Sequence, residues 1–151
     1  MAHDDKAGPM ITYPTGWLLA VIDDAVQGRQ ALTDLAAAGF AGERSRLLVG
    51  PDGRSGLGEL GAHRTGLTRI IRAVQFTTMD QAPDFAWYEA ALDGGRTVVA
   101  VQASSRQEIA TARAALASHG AHFENHFGRF MTEEFSRWHG PEPDLPDHLR
   151  R

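Results

Sequence analysis

The sequence predicts an α+β sandwich in which two strand–helix–strand units flank a helical insert. The main observation is a repetition. Gly16–Trp17–Leu18–Leu19–Ala20–Val21–Ile22, a polar cap, a helical stretch and Gly39–Phe40 form one copy. Arg96–Thr97–Val98–Val99–Ala100–Val101–Gln102, Ser104–Ser105, a helical stretch and His119–Gly120 form the other. A second observation is the unmatched segment between them, about 54–95, which carries two further helical patterns.

In the first unit, the apolar run Trp17–Ile22 has the length of a strand covered on both faces. Asp23 or Asp24 can cap the following helix, because a short carboxylate accepts bonds from free first-turn amides. With Asp24 as cap, Gln27 stands at the capping-box spacing. Ala31, Leu32, Leu35 and Ala36 then recur at threes and fours as a narrow apolar stripe. Gly39 supplies a left-handed stop. Ser45–Val49 is the second strand, and Gly50–Pro51–Asp52–Gly53 ends it as a turn.

The insert opens with Gly56, Gly58, Gly61 and Gly66, which predict a loose or closely packed loop. Thr68–Thr77 reads as a helix through Ile70, Ile71 and Val74. A second helix follows, with Pro83 in its first turn, where the missing amide is harmless. It holds Phe85, Trp87, Tyr88, Ala91 and Leu92 and ends at Gly94–Gly95.

In the second unit, Thr97–Val101 is rich in β-branched residues. Ser105 and Glu108 form a capping box, and Ile109, Ala112 and Leu116 make the buried face of the helix, which Gly120 stops. His122, Glu124 and His126 alternate with Phe123, Asn125 and Phe127, predicting a strand with one mostly polar and one more apolar face. Thr132 is expected to cap a short terminal helix holding Phe135 and Trp138, followed by an extended tail. The expected organisation is a lead-in over 1–15, one domain over 16–128, and a short helix with a tail over 129–151.

The two glycine-terminated units, the helical middle and the run Tyr88–Glu89–Ala90–Ala91–Leu92–Asp93–Gly94–Gly95 leading into Val98–Val101 carry a resemblance. Over Trp17 to about Gly128 the chain resembles the bacterial general stress protein 17M-like (YflT-type) domain family. The resemblance implies a ferredoxin-like βαβ…βαβ arrangement and bacterial cytoplasmic expression. The residues independently support the same fold, since right-handed crossovers place both repeated helices on one sheet face. The other face then needs a cover, either the inserted helices or a second subunit. Aromatic side chains in the insert make a homodimer the expected oligomer.

Composition narrows the chemistry. There are 151 residues, no cysteine and a formal net charge of -4. Lack of cysteine removes disulfides, thiolate nucleophiles and cysteine-based metal sites. The acidic balance argues against nucleic acid and acidic membranes as partners. No run has membrane-spanning length, and the first residues lack the pattern of a secretion signal. The expected location is the cytoplasm.

Candidate functional residues are few. His122 and His126 are suited to a metal or haem, but on one face of an extended strand they stand about 13 Å apart, too far for one mononuclear site. No metal or cofactor is assigned on that spacing. Arg54, with the glycines of Gly50–Gly58, could receive an anion on backbone amides, although the Walker pair and the third dinucleotide-fold glycine are missing. Phe76, Phe85, Trp87, Tyr88, Phe123, Phe127 and Phe130 could line a small-molecule pocket or simply pack a core. Asp23 and Asp24 follow a strand end, where ligands approach α/β sheets, and serve equally as caps. The expectation is a non-enzymatic stress-associated protein acting through self-association or protein contacts. The alternative is an aromatic-lined binder of a small molecule or haem, with or without catalysis, using His122 or His126.

Overall fold

The computed structural model describes residues 14–60, 82–129 and 131–145. The chain runs β1 (Trp17–Ile22), α1 (Ala25–Ala37), a 3-10 turn (Gly42–Arg44), β2 (Ser45–Val49), α2 (Gly53–Glu59), α3 (Ala82–Asp93), β3 (Thr97–Gln102), α4 (Arg106–Ala117), β4 (His122–Phe127) and β5 (Thr132–Glu134). The strands form one sheet in the order β2-β3-β1-β4-β5, with every neighbouring pair antiparallel. Each repeated unit is split by a strand of the other: β3 lies between β1 and β2, and β1 lies between β3 and β4. The two copies are therefore interleaved in a ferredoxin-like α+β fold.

The alternation of β1 separates two cores. Leu18, Ala20 and Ile22 point to one face, where α1 and α4 pack through Ala31, Leu35, Ile109, Ala112 and Leu116. Gly28 permits the close approach of α1, since a Cβ there would stand 2.9 Å from Leu47 Cδ1 and 3.1 Å from Thr97 Oγ1. Asp24 caps α1 by accepting from Val26 N. Gln27 does not complete a capping box and instead meets His119 Nδ1 at 3.0 Å. His119 Nε2 meets Asp34 at 2.6 Å, so this helix-end histidine joins α4 to α1. The expected box at Ser105 and Glu108 is present.

Trp17, Leu19 and Val21 point to the other face. There α2, α3 and the tail pack through Leu57, Phe85, Trp87, Tyr88, Leu92 and Leu145. This chain's own insert and tail thus supply the cover. Phe85, Trp87 and Tyr88 are each no more than 1% exposed, so they are internal to one subunit.

Three expectations are corrected. The glycine-rich stretch after β2 forms the helix α2, because Gly53 and Gly56 let it lie directly on Leu48: a Cβ on Gly53 would stand 3.0 Å from Leu48 Cβ. These glycines serve close packing rather than looseness. The expected terminal helix from Thr132 is instead the edge strand β5, paired with Asn125–Phe127. A local cap signal yields here to the open edge of β4. Finally, His122 and His126 do not share a face. Leu18 opposes His126 and Val21 opposes His122, so three steps on β1 match four on β4. This bulge centres on Phe123, whose φ is 51°. The expected helix over Thr68–Thr77, together with Phe76 and Phe130, lies outside the described residues.

Candidate functional site: an aromatic corner beside the β4 bulge

The bulge determines what stands at the β4 end of the sheet. Without the extra residue, His122 would face α1 and α4 together with Glu124 and His126. With it, His122 turns to the α3 face beside Phe123. A left-handed φ at a phenylalanine costs of order 1–3 kcal/mol and persists only where its surroundings hold it. Both backbone groups of Phe123 are held. Its N–H donates to Arg137 O at 3.0 Å, and its carbonyl accepts from the Tyr88 hydroxyl at 2.7 Å. Tyr88 also reaches Leu19 O at 3.1 Å and accepts from Asn125 Nδ2 at 2.9 Å. Burial pushes the Tyr88 phenol above its ordinary range, so it acts as a neutral donor.

Trp87 from α3, Phe123 from β4 and Trp138 from the tail meet at this bulge. Trp87 and Phe123 stack with centroids 5.5 Å apart and planes 25° apart. Trp138 stands 5.3 Å from Trp87 at 59° and 5.9 Å from Phe123 at 65°. The three rings make a corner and not a cage, since they touch one another. They line a cavity of about 320 Å³ with Glu134, Arg137 and Glu142.

A polar cluster positions Trp138. The edge of its ring meets His122 with centroids 4.9 Å apart at 87°, and the Arg96 guanidinium lies 5.3 Å from its centroid. His122 Nδ1 accepts the backbone N–H of His139 at 3.0 Å. Since that partner can only donate, Nε2 carries the ring proton and gives it to Asp23 Oδ1 at 2.9 Å. Arg96 Nε donates to the same carboxylate oxygen at 3.1 Å, and its Nη2 reaches Pro141 O at 3.4 Å. Trp138 Nε1 donates to Pro141 O at 3.0 Å. Asp23, the first of the two candidate caps, is thus an anchor for the tail.

The remaining candidates are dispersed. His126 lies on the α1–α4 face, and its Nε2 donates to Ala103 O at 2.6 Å. Arg54 joins α2 to α3 through Glu89 at 2.8 Å and Asp93 at 3.3 Å, and the Glu89 carboxylate raises its pKa. Phe85 and Tyr88 belong to the packed core beneath the cavity. Of the residues singled out from the sequence, Trp87 and Phe123 line the cavity and His122 stands behind it. Among the described residues, no group of three or more His, Asp or Glu side chains could hold a metal ion. No helix among them is long and apolar enough to cross a membrane.

The sequence pattern did not reveal Trp138, Glu134, Arg137 or Glu142 as a set. Their common signal, a run of charged and aromatic residues after the last strand, is also that of an amphipathic terminal helix.

No protein-family model, curated protein or solved structure matches the chain.

Proposed function

We propose that this protein binds a small planar organic molecule in the corner formed by Trp87, Phe123 and Trp138. We further propose that it is the stress-associated protein that its resemblance to the general stress protein family implies. The observation that carries the first reading is the strained Phe123: the chain holds an unfavourable backbone there, and its consequence is the aromatic corner with His122 behind it. Strained residues cluster where a site requires them. Ligand pockets run from about 300 to 1,000 Å³, which places this cavity among the smallest, suited to one ring system and not to a porphyrin. Both nitrogens of His122 are engaged, and His126 lies across the sheet. These features support the small-molecule reading over the haem reading.

The chain has three tryptophans, two in the corner and Trp17 elsewhere on β1. Protein labelled with 5-fluorotryptophan is titrated with benzyltrimethylammonium, benzyl alcohol and benzoate while the fluorine resonances are followed. Saturable shifts of Trp87 and Trp138 with an unmoved Trp17, lost in Trp138→Ala, are expected for at least one probe. Resonances that stay still with all three at millimolar concentration overturn the reading.

A further inference from the structure

We infer that the outer edge of β2 is a self-association surface, on which a second copy of this chain pairs about a two-fold axis at Leu47. This surface lies apart from the pocket proposed above and does not depend on it. Among the described residues, β2 ends the sheet. Gly50 N–H donates to Arg96 O, so alternation along the ladder turns the backbone groups of Leu48 and Arg46 towards β3. The N–H and carbonyl groups of Leu47 and Val49 therefore point away from the sheet, as does the carbonyl of Ser45.

The two edges of the sheet are built differently. At the far end, β5 has three residues and exposes Glu133 and Glu134, the short charged form that discourages strand addition. β2 is longer and carries no proline or bulge over Ser45–Val49. Its one charged residue, Arg46, turns inward, with its guanidinium 5.6 Å from the Trp17 ring centroid. The usual guards of an edge strand are thus missing from β2.

Shape identifies the occupant. Val49 is 45% exposed, one of three large hydrophobic residues left exposed among those described. The Leu47 side chain lies against Gly28 of α1, so by alternation Ser45 and Val49 also stand on the α1 side of the strand. Beside Ser45, a groove of about 270 Å³ is lined by Arg29, Leu32, Thr33, Ala36 and Gly42. A protruding Val49 at one end of β2 and a groove at the other are self-complementary. Antiparallel pairing centred on Leu47 sets Val49 of each copy opposite Ser45 of the other and directs its side chain to that groove. Leu47 N–H of each copy donates to Leu47 O of the other, and Val49 N–H donates to Ser45 O. The ladder stops there, because Ser45 N–H is already bonded to Gly42 O. Arg29 is exposed and keeps its guanidinium in water while its stem lines the rim. The result is one continuous sheet with a closed, isologous interface. An unrelated extended peptide could take the same backbone bonds, but the matched spacing of valine and groove belongs to this chain.

Sedimentation of the full chain, with amide hydrogen exchange followed by NMR, tests the interface. The parent is expected to be a dimer at submillimolar concentration. Its Leu47 and Val49 amides should exchange at least about tenfold more slowly in concentrated than in dilute solution. Val49→Lys sends an ammonium to the apolar groove, and Ala36→Glu places a carboxylate in it. Both substitutions fall on exposed positions, and an unchanged near-ultraviolet circular dichroism spectrum verifies the fold of each. Each variant is expected to be monomeric at the same concentration, with both amides exchanging fast. A monomeric parent overturns the inference, and Leu47 and Val49 amides protected in that monomer would show that the chain covers its own edge. A dimer in which the two amides stay fast also overturns it, as does a dimer that both folded variants retain.

Discussion

The Tyr88 hydroxyl stands 2.7 Å from the carbonyl oxygen of Phe123, tying the covering helix α3 to the one non-glycine residue with positive φ among those described. This bond holds the β4 bulge at the point where the β1–β4 ladder is irregular. Tyr88→Phe keeps the ring and its packing but leaves buried carbonyl oxygens and the Asn125 amide short of a partner. Leaving a buried group unsatisfied costs about 1–3 kcal/mol, so a destabilisation of that size is expected in urea unfolding. An unchanged unfolding midpoint would mean that the hydroxyl is not needed to hold the bulge. The raised phenol pKa also has a sign: its contribution is full below the ordinary tyrosine value of about 10 and is lost as pH rises beyond it, because the unfolded chain ionises first.

The tail is predicted to depend on one ring nitrogen. His122→Phe preserves a ring against Trp138 but removes the acceptor for His139 N–H, whereas His122→Asn keeps an oxygen near the Nδ1 position. Amide hydrogen exchange at His139 should quicken strongly in His122→Phe and less in His122→Asn. The stability loss in His122→Phe should be about 1–3 kcal/mol. Equal protection of the His139 amide in all three proteins would show that His122 does not anchor the tail.

Two glycines in α2 should respond in opposite directions. Gly53 faces the backbone of Leu48, with a Cβ position 3.1 Å from its carbonyl carbon and 3.2 Å from its Cα. Gly53→Ala therefore forces α2 off the sheet and should cost about 1–3 kcal/mol, the range of overpacked cores. Gly58 has open space around its Cβ position. There alanine should stabilise the helix by up to about 1 kcal/mol through propensity alone. Thermal unfolding of the pair gives the comparison, and stabilisation by both would show that α2 is not closely seated.

Glu108 contributes a pH-dependent increment. The backbone N–H of Ser104, then the Arg44 side chain and the Ser105 N–H, hold its carboxyl below the usual carboxylate range. A depressed folded pKa contributes stability above the unfolded pKa and loses it as pH falls through the folded one. Glu108→Gln should thus be less stable than the parent at neutral pH, and the two should converge below the carboxylate range. A constant difference across that range would assign the effect to packing instead of charge.

Much of the architecture was legible because it rests on local periodicity. The runs Trp17–Ile22 and Thr97–Val101, the Ser105–Glu108 box and the stops at Gly39 and Gly120 act within a few residues, so the chain itself displays them. The helix α2 was missed and the choice between loose and closely packed glycines was left open, because a glycine that provides room for Leu48 looks the same in sequence as one that provides freedom. Thr132 was misread because the free edge of β4, which recruits Thr132–Glu134 as a strand, is not a local property.

The sequence by itself determined two interleavable strand–helix–strand units, their shared helical face and an aromatic group awaiting a partner. The tertiary structure decided what that group does. One extra residue in β4 turns His122 away from His126 and towards Trp138, and the neighbouring Phe123 becomes one side of a corner. A bulge is set by the balance of many distant bonds, here from Tyr88, Arg137 and Asp23, and not by the pattern of the strand that contains it.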